Sequence, residues 1–323
     1  IYTACQMASW TYKSFRKLKR RSKAHGDKPI FKKGVVMLDD HLFTLNLEKW
    51  EASIATSKGR ISLKIMHGTY HEKFKGMRVG EAWLTRKKGD VLYLRVVFSL
   101  EVEEAEPNGE AVAVDLNENN VTFGSQGSNV KKFETGERTI RTAYFLKRRR
   151  LQSEPRLNEK AAMEKYRGRE RRRMDAVYHR AANEVVCEAK EEGASVIVLE
   201  NLKGIRGRMN YSKQMNGRLH RWSFRRLQSV VEYKAKLAGL TVVYVDARGT
   251  SSLCPECGVH LRRSLRGYRL VRCPKCGMEE DRDVIAVRNL LLKYKVQRDV
   301  PASSVLGRTP PHEMREEDPG YGS

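Results

Sequence analysis

The chain has 323 residues, 40% of them hydrophobic and 32% charged, the balance of a soluble globular protein with room for two or three packed domains. No apolar run is long enough to span a bilayer, and no amphipathic lipid-facing helix or lipidation motif is present, so a membrane role is set aside. The formal charge of +24, from 63 Lys and Arg against 39 Asp and Glu, exceeds what solubility requires and points to a polyanionic partner, nucleic acid first.

Residues 2–24 read as a helix whose far end, Lys13 to Lys23, carries seven Lys or Arg and no acid before the break at Gly26 and Pro29. This makes 1–28 a basic helical segment. Position 1 is Ile, so the natural start is expected to lie upstream. From Val35 the pattern turns to strands: VVMLDDHLFTLNL, ISLKIM and AWLTRKKGDVLYLRVVFSL, the last with Lys88-Gly89-Asp90 as a hairpin turn. Residues 29–105 are therefore expected to form a small β domain.

After the acidic linker Glu101 to Glu110, Ala111 to Leu116 reads as a short buried strand with Asp115 embedded in it. The polar turn Asn117 to Asn120 leads into a second strand, Val121 to Gly124. Arg138 to Arg173 then carries fourteen Lys or Arg against four Glu. It passes into an amphipathic helix with Met174, Val177, Tyr178, Ala181, Val185 and Ala189 on one face, stopped by Gly193. Val196 to Leu199 is an apolar strand ending in Glu200-Asn201. A second basic stretch, Lys203 to Arg226, has eight Lys or Arg, no acid, and Asn216-Gly217 as a turn. A helix from Ser223 to Ala238 follows, with Phe224, Leu227, Val230 and Val231 inward and Gly239 as its stop, and then the strand Thr241 to Val245.

Four cysteines are spaced Cys254-x2-Cys257-x15-Cys273-x2-Cys276, with Pro255, Gly258, Pro274 and Gly277 supplying knuckle turns. Two such knuckles are the pattern of a tetrahedral structural Zn²⁺ site. Two disulfides are the alternative, but Cys5 and Cys187 are lone and the chain is not a disulfide-dense scaffold. The reading is a zinc ribbon in a reducing compartment, which with a nucleic-acid partner means the cytoplasm, at the nucleoid. A last helix runs from Val284 to about Tyr294, and the Pro- and Gly-rich tail beyond it is expected to be disordered.

Asp115, Glu200 and Asp283 share a context, each at the end of an apolar strand or the start of a helix. Parallel strands joined by helices bring such ends to one sheet edge, where carboxylates suit hard divalent cations. Two Mg²⁺ ions held there would favour hydrolysis of a phosphodiester. Each acid has a plainer reading: Asp115 a turn initiator, Glu200 a solvated strand end, Asp283 a helix N-cap. Asp246, which begins a loop, and Asp281, in the exposed run Glu279 to Asp281, rank below them.

The segments AVAVDLNENN, VIVLENLKGI, VDARGTSSLCPECG and CPKCGMEEDRDVIAVRNLL together resemble TnpB, the transposon-encoded RNA-guided nucleases related to the type V CRISPR effectors. The resemblance covers about residues 10–295 of this sequence. It implies an α/β, RNase H-like (RuvC) nuclease domain over 106–250 and 278–295, with a four-cysteine zinc ribbon inserted at 251–277 and a tail at 296–323. It implies a β-barrel-like wedge domain over 29–105 that grips guide RNA, and makes 1–28 a remnant of the recognition region. Asp115, Glu200 and Asp283 match the three motif acids, Thr250-Ser251 the entry to the ribbon, and Trp222 and Phe224 the aromatic start of a helix. The partners implied are guide RNA and target DNA, the latter both double- and single-stranded; the cofactors are structural Zn²⁺ and catalytic Mg²⁺. The two basic stretches become channel walls along the hybrid and the displaced strand. Ile285 stands where the family usually has Asn, and Val287 where it has Ala. Loss of that Asn is expected to remove a hydrogen bond that orients a metal ligand, at a cost of about ten- to a hundredfold in activity. The family's first wedge strand and helical recognition segment would precede Ile1, so target-duplex recognition is expected to be incomplete here. A non-cleaving RNA-guided binder and a strand-transferring transposase remain as alternatives.

Overall fold

The computed structural model describes residues 2–30, 34–86, 91–103, 105–107, 109–153, 163, 166, 168–208 and 211–299. Two compact units divide the chain, Ile1–Glu101 and Val102–Ser323. No helix among the described residues is long and apolar enough to cross a membrane.

The first unit opens with α1 (Tyr2–Arg20), which ends four residues short of the expected limit; Lys17, Lys19 and Arg20 in its last turn suit the negative end of the helix dipole. Six strands follow: β1 (Val35–Leu38), β2 (Phe43–Asn46), β3 (Glu51–Thr56), β4 (Gly59–Lys64), β5 (Arg78–Arg86) and β6 (Leu92–Ser99). They make two antiparallel three-stranded sheets, β1-β5-β6 and β2-β3-β4. Leu38, Phe43, Ala52, Ile54 and Ala82 form one apolar core for this unit. β3 is absent from the sequence reading, although its Ala52 and Ile54 alternate inward as a half-buried strand requires. The expected hairpin turn at Lys88-Gly89-Asp90 lies outside the described residues; on either side of it Arg86 pairs with Leu92.

The second unit is built on a five-stranded mixed sheet of β7 (Ala111–Leu116), β8 (Asn120–Gly124), β9 (Lys131–Glu134), β10 (Val196–Asn201) and β11 (Thr241–Asp246). The order is β11-β10-β7-β8-β9, with β7, β10 and β11 parallel and β8 and β9 antiparallel to their neighbours. All six residues of β7 are buried because helices cover both faces. On one face Val112, Val114, Ile197 and Leu199 pack with α3 (Arg169–Glu191) and α5 (Phe224–Leu237). On the other, Ala111, Ala113, Val196, Val198 and Val245 pack with Val287, Leu290, Leu291 and Tyr294 of α6 (Arg282–Asp299). All six apolar residues named for the α3 face are buried, and Gly193 takes the left-handed φ of 63° that ends the segment.

Further elements of the second unit differ from expectation. Asn216-Gly217 is not a turn but lies inside α4 (Lys213–Arg221), where Ser212 Oγ caps the Met215 N–H and Asn216 Nδ2 donates to Tyr211 O at 2.9 Å. Local capping outweighs the turn preference of that dipeptide. β9 was not foreseen because only Phe133 of its four residues packs inward. α6 continues past Tyr294 to Asp299, so 296–299 are helical; 300–323 of the expected tail lie outside the described residues. The ribbon sheet of β12 (Arg262–Arg263), β13 (Leu270–Arg272) and β14 (Glu279–Asp281) also reaches beyond 277. Glu279 to Asp281, read as an exposed run, is that half-buried third strand.

Behind α3, the basic run turns partly inward. α2 (Glu137–Ser153) carries Glu137, 1% exposed, which accepts from Arg141 Nε at 2.5 Å and from the Ser223 N–H at 3.0 Å. Arg141 in turn donates to Glu170, to Tyr178 Oη and to Ser223 Oγ, tying α2, α3 and the start of α5. Arg141 is thus spent inside the fold, and the more exposed Arg148 also pairs with Glu170. Removing one partner leaves a desolvated charge uncompensated. Glu137→Ala is expected to destabilise the second unit by about 3 kcal/mol, read from the denaturant midpoint, with Glu137→Gln costing less.

Candidate active site and thiolate cluster

Strand alternation decides where the acids point. Asp115 shares its parity with Ala111 and Ala113, and Glu200 with Val196 and Val198, so both carboxylates leave the sheet on the α6 face. Leu199 pairs with Val114 in the parallel register, which makes Glu200 and Asp115 the next neighbours along adjacent strands. Asp283 lies in the first turn of α6, which packs on β7, β8, β10 and β11. Asp115, Glu200 and Asp283 are each only 7% exposed. Asp246 has the parity of Val242 and Tyr244, which pack on the opposite face, and it is exposed and paired with Arg248. Alternation alone removes it from the group.

The electrostatics place Glu200 and Asp283 within reach of Asp115. Burial, then the charges of Glu200 and Asp283, push the Asp115 carboxyl well above the usual carboxylate range, against the pull of Asn117. Burial also raises Glu200, opposed by a hydrogen bond from Thr250 and the charge of Lys293. Asn117 Nδ2 donates to Asp115 Oδ2 at 2.6 Å, and Thr250 Oγ1 donates to Glu200 Oε1 at 2.9 Å. Asp283 is held by Arg269 of the ribbon and by Lys132 of β9, the latter 3.3 Å away. Asp281 Oδ1 accepts the Asp283 N–H at 2.8 Å, so the capping role offered for Asp283 falls to Asp281. The three carboxylates do not close to within 4.8 Å of one another as the ribbon sulfurs do. Their chemistry nonetheless fits hard divalent cations: three buried carboxylates, with the charges of Glu200 and Asp283 bearing on Asp115. Ile285 is fully buried; one turn further on in the same helix, Asn289 Nδ2 donates to Thr250 O at 2.7 Å.

The sequence reading missed Asn117, Lys132, Arg269 and Asn289. Asn117 alone had a local signal, two residues beyond an embedded acid. The others arrive from 14 or more residues away: Arg269 lies 14 from Asp283 and Asn289 lies 39 from Thr250.

The Sγ atoms of Cys254, Cys257, Cys273 and Cys276 all lie within 4.8 Å of one another, with Cys254 to Cys276 at 3.6 Å and Cys257 to Cys273 at 3.4 Å. None is in a disulfide. Tetrahedral Zn–S bonds of about 2.3 Å place sulfurs about 3.8 Å apart, so the cluster fits Zn²⁺. Each knuckle closes through glycine: Gly258 N–H donates to Cys254 O at 2.9 Å and Gly277 N–H to Cys273 O at 3.1 Å, with φ of 72° and 78°. The backbone N–H of Cys276 leads the causes that lower Cys273 to about 6. The other gathered set, Asp39, Asp40 and His41, sits in a turn where Asp39 Oδ1 accepts the Leu42 N–H at 3.0 Å.

Two outcomes follow from these environments. Because Asp115 holds its proton more tightly folded than unfolded, stability present at low pH is lost as pH rises from the ordinary carboxylate range through the raised value. In a metal chelator at neutral pH, Asp115→Asn is therefore expected to melt above the native chain, and the difference to vanish near pH 4, about the unperturbed carboxylate value. Metal analysis is expected to find about one zinc per chain, lost with cooperative melting of the ribbon in Cys273→Ser.

A family model described as the Cas12f1-like TNB domain matches residues 224–290, and one described as the Uncharacterized protein MJ0013 family matches residues 1–54. TnpB-like protein MJ0751 of Methanocaldococcus jannaschii is 32% identical over 257 residues, 74% of this chain and 88% of that protein. The CRISPR-associated endodeoxyribonuclease Cas12f1 of Sulfoacidibacillus thermotolerans is 33% identical over 119 residues, 36% of this chain but only 26% of that one. Among solved structures, the cryo-EM structure of a Cas12f1-sgRNA-target DNA complex matches with a TM-score of 0.57 at 15% identity, covering 86% of this chain and 69% of its own; this likeness is one of fold. With 32% identity across 88% of MJ0751, and residues 224–290 matched by a separate family model, the chain belongs to the TnpB-like family.

Proposed function

We propose that the chain is an RNA-guided, Mg²⁺-dependent DNA endonuclease of the RuvC type, acting at the nucleoid on guide-complementary DNA. The observation that supports this is that buried Asp115 and Glu200 face α6, whose first turn carries buried Asp283, with the charges of Glu200 and Asp283 bearing on Asp115. The sheet order supports an RNase H-like domain: central β7 is flanked on one side by antiparallel β8 and β9 and on the other by parallel β10 and β11. The two packed three-stranded sheets of the first unit support a barrel-like wedge. The relatives reported above include an endodeoxyribonuclease and a protein in complex with sgRNA and target DNA, which supports guide RNA and DNA as partners here.

Asp115, Glu200 and Asp283 would hold Mg²⁺, which when bound supplies activation of the attacking water and charge neutralisation at the leaving oxygen. Asn117 keeps the Asp115 carboxylate in one rotamer, and Thr250 does the same for Glu200. Lys132 and Arg269 flank Asp283 with positive charge, where they can pair with a phosphate once the acids are neutralised. Zn²⁺ in the four-cysteine cluster would fix the ribbon from which Arg269 projects. The remaining exposed cations of the basic stretches, Arg149, Arg171, Arg172 and Arg173 among them, would line the nucleic acid.

The test is cleavage by the purified protein with its copurifying RNA and Mg²⁺. Asp115→Ala, Glu200→Ala and Asp283→Ala are each expected to reduce cutting to background while RNA and DNA binding persist. Undiminished cutting by Asp283→Ala overturns the assignment. Stable binding without any cutting by the native protein favours an occluding binder, and strand-joined products favour a transposase.

A further inference from the structure

Thr250 lies between the two halves of the candidate site. It is 3% exposed, in the turn that joins β11 to the first cysteine knuckle, and its hydroxyl has one hydrogen and two acceptors: Glu200 Oε1 at 2.9 Å and Ala247 O at 3.0 Å. A charged acceptor wins such a competition, so the hydrogen belongs to the carboxylate once Glu200 is ionised. Among the described residues no other side chain donates a hydrogen bond to that carboxylate, while the Glu200 carbonyl is held separately by Gln228 Nε2 at 2.7 Å.

The turn carrying Thr250 is itself anchored from the helix that carries Asp283. Asn289 is 7% exposed and spends both amide hydrogens on backbone carbonyls, Thr250 O at 2.7 Å and Leu253 O at 2.8 Å. Leu253 immediately precedes Cys254, the first thiolate. One amide therefore joins α6, the turn that holds Glu200, and the mouth of the ribbon. Both residues are polar where burial is nearly complete, a placement that costs free energy unless each hydrogen bond is made.

We infer that Thr250 and Asn289 form a positioning relay, in which the ribbon entrance and α6 together set the Glu200 carboxylate for divalent-cation binding. Neither residue touches the ion. Their contribution is to remove carboxylate rotamers that cannot share a cation with Asp115 and Asp283, and to make the acid site depend on the seating of the ribbon. The inference rests on the reading of the three acids as a divalent-cation site.

The test uses Mn²⁺ as the probe, titrated by electron paramagnetic resonance into the full zinc-loaded chain, with zinc content and melting curves recorded for every variant. Thr250→Val is expected to weaken Mn²⁺ binding by about tenfold or more, and Thr250→Ser to restore it, because only the hydroxyl is shared between them. Asn289→Leu is expected to weaken Mn²⁺ binding with zinc content unchanged. In the cleavage assay the Thr250→Val defect is expected to shrink as Mn²⁺ is raised, which a damaged fold would not allow. Native affinity in both Thr250→Val and Asn289→Leu overturns the relay. Should the native chain take up no more Mn²⁺ than Asp115→Asn, the acid-site reading itself has failed and the relay with it. If Thr250→Val does not fold, the comparison of Asn289→Leu with the native chain decides alone.

Discussion

Everything in the second unit turns on a desolvated negative charge at the edge of a sheet covered on both faces. A lone carboxylate in that setting is costly, and three within electrostatic reach are costlier. The fold tolerates them because each has a specific neighbour: Asn117 for Asp115, Thr250 for Glu200, Arg269 and Lys132 for Asp283. None of these neighbours fully compensates Asp115, whose carboxyl keeps its raised proton affinity. The site is thus held open in an electrostatic sense, with a deficit of positive charge that a divalent cation or a protonated state would relieve.

The scaffold that enforces this is ordinary. The apolar residues of β7 and β10 are buried on both faces, so strand parity alone sets the face of each acid, and the third acid is delivered by a helix whose buried side packs on the same strands. The ribbon is more than an appendage to this arrangement. It contributes Arg269 to Asp283, and its entrance shares an amide with α6, so the two candidate metal centres are joined by hydrogen bonds.

Much of this was legible in the chain. β7, β10, β11, α3 and α5 follow from uninterrupted apolar runs or clean helical periodicity, and the cysteine spacing alone predicts a closed thiolate cluster. The acids could be chosen by position, and strand parity separates Glu200 from Asp246. β3 was hidden by polar residues on its open side, and β9 by these and by its four-residue length. α4 was hidden by an Asn-Gly pair whose turn preference yields to a serine cap. The donors around the acids were invisible for another reason: Thr250 meets Glu200 across 50 residues and Asn289 meets Thr250 across 39, partnerships that exist only once the sheet has formed.

The ribbon is pinned at both of its roots. Asn289 holds the incoming strand at Thr250 and Leu253, and on the way out the Arg282 N–H donates to Arg269 O at 3.1 Å, one residue before Asp283. Its far loop, around Leu265 and Tyr268, is by contrast almost wholly exposed. Insertions and deletions accumulated by relatives should therefore collect at that distal loop, and the roots should keep a constant chain length, since slack there would rotate the last acid away from its companions.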